Sequence, residues 1–219
     1  MIKLTCAHIA GRDNVKADSA SRKFIDKHEW MLDKVLFDGL CRRFGMPDLD
    51  LFASRLNAQI PRYCAWKPDP DALYVDAFSI RWTLVNSVYL FPPFSLLGRC
   101  VQKIREEQAK GIVIAPVWKT QPWFSSLMEL LVEVPVLLRK KKGLLRIPNR
   151  EAEHPLLNKM RLMACKVSGC FSDNKDFLNE QPLYSCPPGS PLLEDNMGCP
   201  SGGGCHTVIQ GRLIQFGHL

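Results

Sequence analysis

Two consecutive prolines directly after the short apolar run SVYLF, residues 87–91, constrain this chain more than any other feature. Proline has no amide hydrogen and fixes its own φ, so Pro92 and Pro93 stop a strand abruptly. The segment after them has helical periodicity: Leu97, Cys100, Val101, Ile104 and Gln108 share one face between Ser95 and Lys110. Gly111 then stands where a glycine closes a helix. The run IVIAPVW reads as a further strand, and Pro122 opens another helix whose buried stripe is Phe124, Leu127, Met128 and Leu131. Strand, helix, strand, helix predicts a parallel sheet covered by helices.

The same pattern extends upstream. Leu32, Val35, Leu36, Leu40 and Phe44 recur at helical spacing from His28, with Gly45 at the expected C-cap. DLDLFAS follows as a short buried strand, and KPDPDA as a loop. Downstream, Arg139 to Lys142 reads as a solvated basic loop rather than a dedicated nucleic-acid patch. Leu156, Met160, Met163, Ala164 and Val167 suggest one more helix. Beyond Gly169, PPGSP and SGGG mark a linker, with a final strand expected in TVIQGRLIQF. The expected division is a small unit at 1–23, an α/β domain at 24–148, a helical extension at 149–168 and a flexible tail at 169–219.

Hydrophobic residues make up 46% and charged residues 23%, so the chain buries a real core and is not disordered throughout. The net charge of +7 favours an acidic partner, with DNA or RNA the commonest. Cys6, Cys41, Cys64, Cys100, Cys165 and Cys170 have no paired spacing, which fits free thiols in a reducing compartment. Cys186, Cys199, Cys205 and His206 lack the short C-x-x-C knuckles of zinc modules, so no metal is expected. The beginning of the chain has no apolar h-region, and LLVEVPVLL is broken by Glu133 and Pro135, so neither secretion nor membrane insertion is expected. A cytoplasmic or nuclear location follows from these expectations.

The string HIAGRDNVKADSASR at 8–22 resembles the end of the RNase H domain in retroelement reverse transcriptases. The resemblance places His8 at the family's mobile histidine and Asp18 at its last metal-binding carboxylate. Two-metal hydrolysis needs several carboxylates, and one cannot perform it. Asp18 therefore reads as a relic, or as a helix cap, and no RNase H activity is expected here.

Four further blocks occur in order between Glu29 and Phe124: EW with LF and FG, DLDLFASRLNAQIPRY, DAFSIRW, and FPPF followed by KGIVIAPVWKTQPWF. Together they resemble the Dam-type DNA adenine methyltransferases of phages, and more closely the related domain of DIRS-type retrotransposon polyproteins. The resemblance implies a Rossmann-like, methyltransferase-type sheet and a pocket for S-adenosylmethionine lined by Asp50 and Asp76. Asn57, Arg62 and Tyr63 match the family string without an assigned step. In active family members the Phe91-Pro92-Pro93-Phe94 position reads Asn or Asp, Pro, Pro, then Tyr or Phe. The first residue accepts hydrogen bonds from the target amine, and the aromatic stacks on the flipped base. Phe94 can stack, but Phe91 has no acceptor atom, and the backbone carbonyls of Leu90 to Pro92 are partial substitutes at best. Trp118, Trp123 and Phe124 read as pocket wall or as core.

These observations leave three readings. The leading one is a retroelement polyprotein fragment, associated with other parts of that polyprotein, whose methyltransferase-like domain binds nucleic acid but is catalytically degenerate. The second is an active adenine methyltransferase, and the third a non-functional genomic remnant.

Overall fold

The computed structural model describes residues 29–148, 154–157, 159–184 and 205–219. His8 and Asp18 lie outside these residues. In chain order the elements are β1 (Met31–Leu32), α1 (Lys34–Phe44), β2 (Leu49–Ala53), β3 (Tyr63–Ala65), β4 (Tyr74–Val75), β5 (Val88–Leu90), α2 (Leu97–Glu107) and β6 (Lys110–Pro116). Then come α3 (Pro122–Met128), β7 (Val136–Leu138), β8 (Leu145–Arg146), β9 (Leu162–Ser168), α4 (Phe171–Glu180), β10 (His206–Ile209), β11 (Arg212–Gln215) and β12 (Gly217–His218).

Eight strands form one sheet in the order β12-β7-β9-β6-β5-β2-β3-β4. From β4 to β6 every pairing is parallel, whereas β9 runs antiparallel to both its neighbours. The protein is thus mixed α/β, with a largely parallel central sheet flanked by helices. Alternation sorts the side chains onto two faces. Val88, Leu90, Val113, Ala115, Met163 and Cys165 pack with α2, α3 and α4, while Tyr89, Ile112, Ile114, Leu162 and Ala164 pack with α1. An interior strand buried on both faces is apolar at every position. For this reason the helix expected over 149–168 is a correction: Leu162–Ser168 is the central reversed strand β9, and a short apolar run does not reveal its own period.

Three further expectations are revised. The helix after Pro93 closes at Gln108, which takes a left-handed φ of 55°. Gly111 lies within β6, where a Cβ would collide with the Val88 carbonyl oxygen. It is a close-approach glycine, not a cap. Where a linker with one final strand is expected over 169–219, the described residues contain α4, and the run expected as one strand is the hairpin β10–β11, followed by β12. The helix has no clear apolar signature because its anchor is polar: Asn174 Nδ2 donates to the carbonyls of Leu130 and Ser168, each at 2.9 Å. Downstream, Gln210 and Gly211, both at positive φ, form the two-residue turn of the β10–β11 hairpin. Lastly, the expected N-terminal helix begins only at Lys34, because Met31 and Leu32 pair with Arg146 and Leu145.

The pairing of β1 with β8 also explains the basic loop. Asp33, buried between these strands and α1, binds Lys141 at 2.9 Å and Arg146 at 2.8 Å. Burial alone would raise its pKa, but the hydrogen bond and charge of Lys141, with the charge of Arg146, outweigh that and hold the carboxyl below its ordinary value. Lys141 is therefore committed to the fold.

Candidate functional site

A cavity of about 610 Å³ opens at the carboxyl ends of β2, β3, β4 and β5. The chain turns outward from β2 to β3 and β4 on one side and, through later strands, to β5 and β6 on the other. Ligands of open α/β sheets bind at such a switch of strand order. Its volume falls within the range of small-molecule and cofactor sites.

The double proline forms one wall. Phe91, Pro92, Pro93 and Phe94 all line the cavity. Leu90 is the last residue of β5, and the prolines carry the chain into a 3₁₀ turn, Phe94–Leu96, that leads into α2. Phe94 packs edge-on against Trp118, with ring centroids 5.4 Å apart, and lies 6.4 Å from Phe91. Trp123 and Phe124, by contrast, are buried on α3 and belong to the core.

Asp76 directly follows β4 and lines the opposite wall. It has a φ of 59°, its amide donates to the Ala65 carbonyl at 2.8 Å, and its Oδ1 accepts the Phe78 amide at 3.0 Å. This turn leaves Oδ2 without a hydrogen bond among the described residues. Ala77 and Phe78 of the same DAFSIRW block also line the cavity, whereas its last residue is structural. Trp82 is fully buried, its Nε1 donates to the Ala77 carbonyl at 2.7 Å, and its amide reaches Glu107 of α2.

Asp50 does not join Asp76. It is the second residue of β2, short of the carboxyl edge, and does not line the cavity. It is 2% exposed and faces the α1 side beside Tyr89. Its Oδ2 accepts the Gln59 amide at 3.1 Å and its Oδ1 the Phe52 amide at 3.4 Å. Burial outweighs these two bonds and pushes the carboxyl up to about 7. The expectation that Asp50 lines the pocket is corrected to an indirect role, tying Gln59 of the loop after β2 back to the strand. Asn57 braces the same loop, since its Oδ1 accepts the Ser54 amide at 2.7 Å and its Nδ2 donates to the Trp30 carbonyl at 3.5 Å.

No protein-family model matches this chain, and no curated protein matches it.

The geometry brings in residues that the sequence pattern does not assign. Trp30, Trp66, Arg55, Lys67 and His154 all line the cavity. Trp30 is visible in the sequence only as part of the EW block, and a lone histidine far along the chain carries no signal. Trp66 is 75% exposed at the rim. Apolar and aromatic walls, a few aimed polar groups and cations at the mouth suit a flat, partly polar ligand. Among the described residues no cluster of His, Cys, Asp or Glu is placed to hold a metal ion, and no helix is long and apolar enough to cross a membrane.

Proposed function

We propose that this domain is a methyltransferase-type nucleoside-binding module of a DIRS-type retroelement polyprotein, contacting nucleic acid and catalytically degenerate at Phe91. The observation that carries the reading is the open cavity at the β2/β5 switch point, with Asp76 on one wall and Phe91 to Phe94 on the other. Had side chains filled that space, neither cofactor nor base would have room.

The residues present fit S-adenosylmethionine. Asp76 Oδ2 suits a hydroxyl or amine donor, and Phe52 and Phe78 supply apolar wall. When bound, the cofactor would supply an electrophilic methyl group. The chain's own contribution at the acceptor end is weak. Phe91 offers no atom to an attacking amine, and removal of a single aimed polar group costs about 10²–10³ in rate. Lys67 at the rim is placed to meet a phosphate backbone.

Calorimetric titration with S-adenosylmethionine and S-adenosylhomocysteine tests the cofactor pocket, and the expected outcome is saturable binding that Asp76→Ala weakens. With labelled cofactor, single- and double-stranded DNA are expected to remain unmethylated. The same open cavity favours the active-enzyme reading as second choice, and transfer by the wild-type chain would establish it. Transfer by Phe91→Asn alone would mean that only the acceptor has been lost.

A further inference from the structure

With Phe91 unable to form hydrogen bonds, the chemistry of the base end of the cavity depends on what else faces it. His154 lines the cavity there. Its ring stands edge-on to Trp30, with centroids 4.7 Å apart, and 6.3 Å from Phe94. Its Nδ1 accepts the Leu156 amide at 3.1 Å. A ring nitrogen that accepts an N–H carries no proton, so the neutral imidazole has its hydrogen on Nε2. Burial holds the pKa below the ordinary 6.5, which keeps the ring neutral. Nε2–H has no hydrogen-bond partner among the described residues, so it is a fixed donor within an aromatic wall.

We propose that His154 is a base-contacting residue: its Nε2–H donates to a ring nitrogen or carbonyl oxygen of a nucleobase stacked on Phe94. This inference rests on the reading of the cavity as a nucleoside site and adds which edge of the base the site recognises. A donor cannot take a proton from, or accept a hydrogen bond from, an exocyclic amine. The site therefore grips the acceptor edge of a base instead of activating its amino group, consistent with binding in place of transfer.

Calorimetry on the full chain, with adenosine and its 1-deaza, 3-deaza and 7-deaza analogues as probes, tests this directly. Each analogue keeps the amine and loses one ring acceptor. Wild type is expected to bind one of the three about tenfold more weakly than adenosine, equivalent to about 1.4 kcal/mol. His154→Phe should bind adenosine about tenfold more weakly and lose that discrimination, the signature of a direct pairing. His154→Gln, which retains an N–H donor, should recover most of the affinity and serves as the folding control. Equal binding of all four nucleosides by wild type, or unchanged adenosine affinity in His154→Phe, would overturn the proposal and leave the cavity reading standing. Failure of wild type to bind any nucleoside would overturn both.

Discussion

The two halves of the sheet are built on different terms. On the β4-β3-β2-β5 side the strands are two to five residues long, and their connections are loops tied by side-chain hydrogen bonds. Between β2 and β3 no helix covers the crossover, and Asp50, Asn57 and Gln59 hold the chain in place. On the β6-β9-β7-β12 side, β6 and β9 pair along seven residues each, and almost every side chain there is buried. One half presents a cavity on a polar-braced edge, and the other supplies the core against which that edge is held. A ligand site needs backbone ends and aimed polar atoms, which a fully packed core has no room to offer.

The sharpest way to break this comparison is to remove core from the packed half. Phe124→Ala deletes a ring that is 2% exposed on α3, and it should cost about 3–5 kcal/mol in a denaturant melt. A cooperative wild-type transition in the same experiment would also count against a remnant unable to fold. A loss below about 1 kcal/mol would place Phe124 in the cavity wall after all.

That difference between halves is also the difference between what is and is not legible in the sequence. The cavity half announces itself through Pro92-Pro93, Gly45 and the ordered blocks, because turns and strand ends use residues with special backbone needs. Asp76 and Phe94 stand out for this reason. The packed half carries no such punctuation. Met163, Ala164 and Val167 fit a helical stripe as well as a strand buried on both faces, and only tertiary pairing decides between them. Asp50 is legible as special but not in its role, because its register within β2 sets which face it occupies, and a motif does not state register. His154 enters the cavity from a distant segment, beyond the reach of any local pattern.

A second prediction separates the halves by pH. Folded Asp50 keeps its proton until about 7, whereas its ordinary value is 3.8. The stability it contributes is therefore complete below the ordinary value and is lost as pH rises through about 7. Asp33 works in the opposite sense, because its lowered pKa gives stability that is present above the ordinary 3.8 and lost as pH falls. Between about pH 5.5 and about pH 8.5 the Asp50 contribution falls as pH rises, while that of His154, whose pKa burial holds below the ordinary 6.5, changes in the opposite sense, so it is in a His154→Gln background that the denaturation midpoint should fall. Asp50→Asn should flatten that slope. A midpoint that rises over this range, or a slope unchanged in the variant, would show that Asp50 is ionised in the folded chain.

Asn57→Ala should have a smaller effect on stability, about 1–2 kcal/mol, for the lost 2.7 Å bond to the Ser54 amide. Its effect on the site should exceed its effect on the fold, because Ser54 to Asn57 line the cavity. Measured together, the unfolding free energy and the affinity for adenosine should show binding weakened well before the chain unfolds. Affinity that remains intact in a destabilised variant would mean that the loop is not part of the site.

Trp66→Ala should change stability least and sharpen the comparison most. Its side chain is 75% exposed, so truncation should shift the melt by no more than about 0.5 kcal/mol. The ring nevertheless stands at the cavity mouth with Lys67 Nζ 6.0 Å from its centroid. An exposed aromatic beside a cation suits the stacking of a base from a single strand, for which alanine substitution costs about 1–3 kcal/mol per base. Short single-stranded DNA should thus bind the variant more weakly, while free adenosine, held deeper against Phe94, should bind nearly as before. If both ligands weaken equally, Trp66 belongs to the same subsite as Phe94. If neither does, the exposed rim takes no part in binding and the functional edge ends at the aromatic wall formed by Trp30, Phe94 and His154.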